Sequence, residues 1–402
     1  MRVLYLSPSG ELGGAERALL EGIRALRSLE PLWTIGFISL EDGPLISAVR
    51  SLGVEATVLP VPGVFAAAGE SGRSAMGTLL QLTRGAGPIA AYARTLRKEV
   101  HAWAPDLVHS NGIKTHVLGA WCRTQAPLVW HVHDYLSARG VSATLLRHHR
   151  RSAAAVLANS RSVAADTVDV LGRDVRVETV YNGIDLERFT ADGQHLDLDA
   201  LSGLPPAPPG TLRVGLVATF ARWKGHRAFL NALAQLQSPH RFRAYVVGGP
   251  VYRTGSASQV TRAELEALVG ELGLNGRVGF TGFVTDPAQA YRALDVVVHA
   301  STSPEPFGLS IAEAMACERA VVISDGGGAR EIGDPERTCL AHPPGDVAAL
   351  CRQIARLLDD GALRQVLGRA GAGFVRGQFT SQRLGESLRA VYTQLVRPAC
   401  RA

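Results

Sequence analysis

At 402 residues the chain is too long for one ordinary hydrophobic core and fits two large domains. Hydrophobic residues at 46% and charged residues at 19%, with no low-complexity tract and no long run of like charge, exclude a disordered chain. A formal charge of +6 suits an anionic partner; with no nucleic-acid module and no interleaving of aromatic and basic residues, nucleic acid is not the one expected.

The cysteines Cys122, Cys317, Cys339, Cys351 and Cys400 are scattered without a C-x-x-C pair, so a reducing, cytoplasmic setting is expected. Val3–Leu6 is too short for a signal-peptide core, and no apolar run approaches the roughly 20 residues of a membrane span. In chain order, strand-like and helix-like runs alternate: Val3–Leu6, Ala15–Leu29, Trp33–Ser39, Pro44–Leu52 and Val54–Leu59. Residues 63–87, rich in Gly, Ala and Ser, read as loop with helical pieces. Strands resume at Asp106–His109, Pro127–Val132, Ala154–Ala158 and Val175–Tyr181, closing a first domain over 1–188. Residues 189–210 read as a linker ending in Pro205, Pro206, Pro208 and Pro209, which forbid helix and central strand. A second series then runs over 211–378, with strands at Leu212–Ala218, Arg243–Val247, Arg277–Thr281, Asp295–Ser301 and Ala320–Ser324. Its helices are His226–Leu236, Arg262–Leu272, Gly308–Ala316 and Val347–Leu358. The predicted class is α/β: two Rossmann-like domains with parallel sheets facing a central cleft, ligands lying beyond the carboxyl ends of the strands.

Four motifs carry chemistry. In SPEPFGLSIAEAMA, Ser303–Ala316, the loop through Pro306 and Phe307 leads to Gly308, which opens a helix. The first amides of that helix, around Leu309, Ser310 and Ile311, lack intrahelical acceptors and form a positive end suited to a diphosphate. Glu313, among Ile311, Ala312, Ala314 and Met315, needs a partner, and ribose hydroxyls fit. Glu305 can accept hydrogen bonds from sugar hydroxyls. The alternative is that Glu305 only favours the helix dipole and Glu313 is solvated. In VATFARWKGH, Val217–His226, Arg222 and Lys224 precede a helix whose dipole opposes them by roughly 0.3–1 kcal/mol each until an anion arrives, unless this is an ordinary basic loop. In GELGGAERALL, Gly13 and Gly14 allow close backbone approach and leave amides free; the spacing is not that of a dinucleotide site. His131 and His133 share one face at a strand end, beside Asn111 and Gly112. No third ligand stands at a characteristic spacing, so no metal is expected there.

The Glu-x7-Glu phrase across PFG and EAMA resembles the signature of retaining glycosyltransferase family 4, whose fold is GT-B. The resemblance implies that Glu305 contacts the donor sugar and Glu313 the ribose. Lys224 and Gly225 match the family's Lys-Gly pair, a diphosphate site; Ala218 and Thr219 replace its Gly-Arg pair, so Arg222 is expected to supply the guanidinium from a shifted position. Glu318 and Ala320 stand where Gly and Pro are usual. Gly13 and Gly14 resemble the family's GG-x-E loop, near the diphosphate and the acceptor, and His133 matches a histidine facing the donor sugar. ANS at 158–160, YNGID at 181–185 and DGGGAREI at 325–332 also match. They imply a hinge at Asn182 and Gly183 and a place for Glu331 near the diphosphate. A closing helix in 379–402 is expected to pack on the first domain.

The implied donor set is therefore Gly14, Arg222, Lys224, Glu305, Phe307, Gly308, Leu309, Ser310, Glu313 and Glu331. Gly13, Asn111 and His133 lie on the acceptor side, and His133, Glu305, Arg222 and Lys224 bear on catalysis. The implied reaction is retaining transfer from a nucleotide-diphosphate sugar, uridine- or guanosine-linked ahead of adenosine-linked, to a glycan, lipid-linked or small-molecule hydroxyl. It needs no cofactor and no metal, since no D-x-D is expected to offer two carboxylates to a divalent cation and Arg222, Lys224 and helix amides meet the leaving charge. Glu305 and Glu313, about 12 Å apart along a helix, are not a glycosidase pair, which needs about 5–5.5 Å. A nucleotide-sugar epimerase or hydrolase of the same plan, or a non-catalytic nucleotide-sugar-binding protein, remain alternatives. Arg139–Arg151, with Arg147, Arg150 and Arg151 beside Val141, Leu145 and Leu146 and no acid, reads either as an amphipathic helix for an anionic inner membrane face or as a solvated one.

Overall fold

The computed structural model describes residues 1–62, 86–250 and 258–396. The chain divides into two units, one formed by Met1–Gly183 with the segment from Ser381, the other by Ile184–Thr380. In the first, seven parallel strands run in the order β3-β2-β1-β4-β5-β6-β7: β1 Arg2–Ser7, β2 Thr34–Ser39, β3 Glu55–Val58, β4 Leu107–Asn111, β5 Leu128–Val132, β6 Ala153–Ala158 and β7 Val177–Thr179. The second has six, in the order β10-β9-β8-β11-β12-β13: β8 Leu212–Val217, β9 Phe242–Val247, β10 Val278–Gly282, β11 Val296–Val298, β12 Ala320–Ser324 and β13 Leu340–His342. The central strands β4, β5, β9, β11 and β12 are buried along their whole length, as sheets covered on both faces require. Each sheet reverses strand order once, between β1 and β4 and between β8 and β11. Such switch points open a crevice at the strand ends.

Several elements depart from expectation. β4 continues through Ser110 and Asn111, polar residues that are nonetheless buried. The helix Ala86–Trp103 begins in a stretch read as mostly loop; Ile89, Tyr92, Leu96 and Val100 form its buried stripe. Residues 63–85 lie outside the described residues. The division falls at Gly183, not in the proline-rich stretch, and the expected linker 189–210 is packed into the second unit. There Asp197 caps the helix Leu198–Leu201, accepting from Ala200 N at 3.0 Å. Asp199, buried, accepts from Arg213 at 3.1 Å, Tyr245 Oη at 2.6 Å and Ala207 N at 3.0 Å, and pairs with Arg243. Burial alone would raise its carboxyl, but Tyr245 and the arginines pull it far below the usual range. Asp197 and Asp199 form a D-x-D, yet both carboxylates are committed to the fold.

The basic stretch is also corrected. Its helix, Gly140–His149, turns Leu146 and Leu145 into the first unit's core, while Arg139 pairs with Asp134 and Arg150 with Asp174. The leucines that were to face lipid face the protein. Among the described residues no helix is long and apolar enough to cross a membrane. The helix Ser381–Val396 packs on Gly14–Leu29, with Leu384, Leu388, Val391 and Tyr392 buried.

The departure at Glu318 has a structural cost. The helix Leu309–Ala316 ends with Glu318 N–H bonded to Met315 O at 2.9 Å and Arg319 N–H to Ala314 O at 3.0 Å, a Schellman motif whose penultimate residue must be left-handed. Glu318 has φ 58°, a conformation costing a side-chain-bearing residue roughly 1–2 kcal/mol. Its exposed pair with Arg376 at 3.1 Å returns at most about 1 kcal/mol. Glu318→Gly is therefore expected to stabilise the protein by about 0.5–1 kcal/mol, read as a raised urea midpoint at unchanged slope.

Candidate functional site

Loops leaving the carboxyl ends of β8, β11 and β12 converge on Glu305. After β8, Arg222–Lys224 form one 3-10 turn and Gly225, at φ 76°, starts the helix His226–Gln235. A Cβ on Gly225 would lie 1.8 Å from Ala300 O, so only glycine lets this turn rest against the chain leaving β11. Thr302 N–H donates to Trp223 O at 2.7 Å, closing the same contact. Lys224 is thereby delivered to Glu305, its Nζ 3.0 and 2.8 Å from the two carboxylate oxygens and 4.0 Å above the Trp223 ring.

Glu305 is 6% exposed. Its main chain is strapped to the glycines after β12: Glu305 N–H donates to Gly326 O at 3.2 Å and Gly328 N–H to Glu305 O at 2.6 Å. A Cβ on Gly328 would fall 2.3 Å from Pro306 O, which explains a glycine in DGGGAREI. Directly after β11, His299 Nε2 lies 2.8 Å from Glu305 Oε2, and Ser301 Oγ donates to that oxygen at 3.1 Å. Burial alone would raise the carboxyl, but the Lys224 ammonium, then His299, hold it down at about 2.

Gly308, at φ 110°, begins the helix Leu309–Ala316. Ile311 N–H turns back to Gly308 O at 3.0 Å, so the helix start presents Leu309 and Ser310 rather than the three amides expected. Glu313 Oε2 accepts from Tyr291 Oη at 2.9 Å; the partner its apolar setting demands comes in part from the chain. Glu331 is half-buried on the short helix Ala329–Ile332, its N–H on Gly328 O at 2.9 Å, and so belongs to the segment that straps Glu305.

Two expectations are revised. Arg222 is not brought to Lys224 and Glu305: its guanidinium meets Glu264 at 3.2 Å, both side chains largely in solvent. Phe307 is 2% exposed and packs edge-on against Phe379, ring centroids 5.6 Å apart, so its side chain is core and cannot line a ligand site. His299, Ser301, Tyr291 and Trp223 were not anticipated. The first two carried a signal, since an H-x-S directly after an apolar strand puts both side chains on one side of the exit.

In the first unit, Asn111 and His133 are in contact, His133 Nε2 lying 2.6 Å from Asn111 Oδ1. His131 packs against His133 with rings tilted and centroids 4.1 Å apart, and meets His109 edge-on at 5.2 Å; His109 Nδ1 lies 2.6 Å from Tyr392 Oη, itself 3.1 Å from Tyr5 Oη. Burial lowers His133 to about 4 and His109 to about 3, so the cluster is neutral at physiological pH. Among the described residues, no group of three His, Cys, Asp or Glu is arranged to hold a metal ion. Gly13 caps the helix Gly14–Leu29, but its start is occupied: the Glu16 carboxyl folds back to within 2.7 Å of where a Gly13 Cβ would stand. Burial raises that carboxyl to about 7. The amides expected to be free for a ligand here sit under a side chain of their own helix.

Two Rossmann-like units, each a parallel sheet with one switch point, are the architecture of the GT-B fold. The chain belongs to glycosyltransferase family 4: the family described as Glycosyltransferase Family 4 matches residues 45–188, and Glycosyl transferases group 1 matches residues 211–360. It is 34% identical over 218 residues, 54% of this chain, to the lipopolysaccharide core biosynthesis mannosyltransferase LpcC of Rhizobium leguminosarum bv. viciae. It is 33% identical over 263 residues, 64% of this chain, to 2-deoxystreptamine glucosyltransferase of Streptomyces kanamyceticus. These matches span 59% and 61% of the relatives' own lengths. Among solved structures, Anabaena HepE in complex with UDP-glucose has 26% identity and a TM-score of 0.81, covering 98% of this chain and 100% of that one.

Removing Lys224 would strand a buried carboxylate. Lys224→Met should destabilise the protein by on the order of 3 kcal/mol, and adding Glu305→Gln should recover most of that loss, both read by urea denaturation. The wild-type pair contributes fully above the ordinary carboxylate range and loses its contribution as pH falls through about 2. In Lys224→Met the carboxyl rises, so the destabilisation should be largest near neutral pH and shrink as the pH falls and Glu305 takes up a proton.

Proposed function

We propose that the protein transfers a hexose from a uridine-diphosphate sugar to an acceptor hydroxyl, with retention of configuration and without a metal ion. The observation that carries this reading is the buried Lys224–Glu305 pair beside the start of Leu309–Ala316. A diphosphate needs a cation and helix amides, a sugar needs an ionised carboxylate, and these stand together. Glu313, which accepts from Tyr291, lies one helical turn further on, and a carboxylate there suits ribose hydroxyls. The UDP-glucose complex of HepE favours uridine as the base. The relatives named for lipopolysaccharide core and 2-deoxystreptamine glycosylation favour a hydroxyl-rich acceptor in glycan or natural-product biosynthesis.

Retention is supported by the chemistry of His133. A displacement with inversion needs a base to take the acceptor proton, and a ring lowered to about 4 by burial, with Nε2 engaged by Asn111, is a poor one at neutral pH. The donor's own phosphate oxygen then takes the proton from the same face. Contact with anionic lipid would rest on charge alone, through exposed Arg147, His148 and Arg151, and would be lost at moderate salt.

With UDP as ligand, calorimetry should show Glu313→Ala losing roughly 1.5–3 kcal/mol of binding, while Glu305→Gln keeps affinity and loses transfer. Unchanged binding in Glu313→Ala removes that residue from the site. Proton NMR of the first product from an α-linked UDP-hexose should show an α-linkage; a β-linkage rules out retention.

A further inference from the structure

His299 has a defined protonation pattern. Ser324 N–H points at His299 Nδ1 from 3.3 Å, so Nδ1 is the acceptor and the ring proton sits on Nε2, facing Glu305 Oε2 at 2.8 Å and Ser301 Oγ at 2.9 Å. The ring is 6% exposed and cannot turn without losing both contacts. Glu305 thus accepts hydrogen bonds from two kinds of donor: a cation on a long flexible stem, Lys224, and donors fixed to the end of β11, His299 and Ser301. Among the described residues, titratable groups facing this cluster include Lys224 from the loop after β8, His226 at the start of the helix that follows it, and His342 from β13, whose Nε2 lies 3.4 Å from His299 O; burial lowers both histidines.

The two kinds of donor have different fates when a diphosphate enters. An anion at the start of Leu309–Ala316 competes for the Lys224 ammonium, and each step of that transfer removes positive charge from Glu305. A buried carboxylate left with no donors would protonate or move. We infer that His299 is a positioning residue for transfer: its neutral imidazole, fixed by Ser324, keeps Glu305 ionised and aimed at the sugar while Lys224 passes to the donor diphosphate. Ser301 assists from the same loop, with Ser324 Oγ bonded to Ser301 O at 2.6 Å to hold it. This rests on the donor-site reading above.

The test uses the full-length protein, UDP and an α-linked UDP-hexose. UDP binding by the wild type comes first; no binding defeats the donor-site reading itself, whatever His299 does. Given binding, His299→Phe should leave UDP affinity little changed and reduce kcat by roughly ten- to a hundredfold, the worth of one hydrogen bond to a charged group. Its acid limb in the pH profile of kcat should move up by about one to two pH units as Glu305 loses a donor. His299→Gln, which can place an N–H near the Nε2 position, should restore part of both. A kcat loss with an unmoved acid limb, or no rescue by Gln, overturns the assignment. Nitrogen-15 NMR of the wild type provides a check independent of any variant's folding: with UDP bound, His299 should remain neutral with its proton on Nε2. An imidazolium or an Nδ1–H tautomer contradicts the role.

Discussion

A carboxylate taken out of water must be matched by charge and hydrogen bonds or it will not stay ionised, and Glu305 is such a group. Its burial is made tolerable by Lys224 from the loop after β8 and by His299 and Ser301 from the end of β11. Its main chain is held by Gly326 and Gly328 after β12. Three separate strand exits are therefore obliged to meet at one point. The glycines follow from that crowding: Gly225 rests on Ala300 O and Gly328 on Pro306 O, at distances no Cβ could occupy. The cost of desolvating one charge thus fixes the loop geometry around it, and the same charge, with Lys224, is what the proposed donor site uses.

The first unit solves a different problem at its own switch point. Its strand ends carry His109, Asn111, His131 and His133, polar groups packed against one another and kept neutral by burial. Tyr392, from the far end of the chain, bonds His109. The helix Ser381–Val396 therefore contributes to this cluster as well as covering the helix Gly14–Leu29. Charge is concentrated at the second unit's switch point and avoided at the first.

The alternation of apolar runs made both sheets legible, because strands covered on two faces must be continuously apolar. It failed where burial was achieved by other means: β4 ends in Ser110 and Asn111, which are buried but polar, and the stripe Ile89, Tyr92, Leu96 and Val100 of Ala86–Trp103, though at regular helical spacing, follows directly on a Gly- and Ala-rich stretch that masks its start. The linker reading failed because prolines report local conformation and say nothing of packing; Asp199, six residues ahead of them, anchors that stretch through Arg213, Arg243 and Tyr245. At the site, Lys224, Glu305 and Glu313 were readable as charges beside a helix start. That Lys224 and Glu305 touch each other, that Phe307 is core, and that Arg222 turns to Glu264 depend on contacts distant in sequence. Glu318 was visible as a departure, and its left-handed backbone shows that the turn is kept while the residue suited to it is not.

In the proposed reaction the Lys224–Glu305 ion pair is the resting state of the donor site, and Lys224 exchanges Glu305 for a diphosphate. A crystal structure of the protein with UDP bound tests it most directly. The account requires a diphosphate oxygen within hydrogen-bonding distance of Lys224 Nζ, near the Leu309 and Ser310 amides, with Glu305 still held by His299 and Ser301. A diphosphate bound away from Lys224, with the Lys224–Glu305 pair undisturbed, would contradict it.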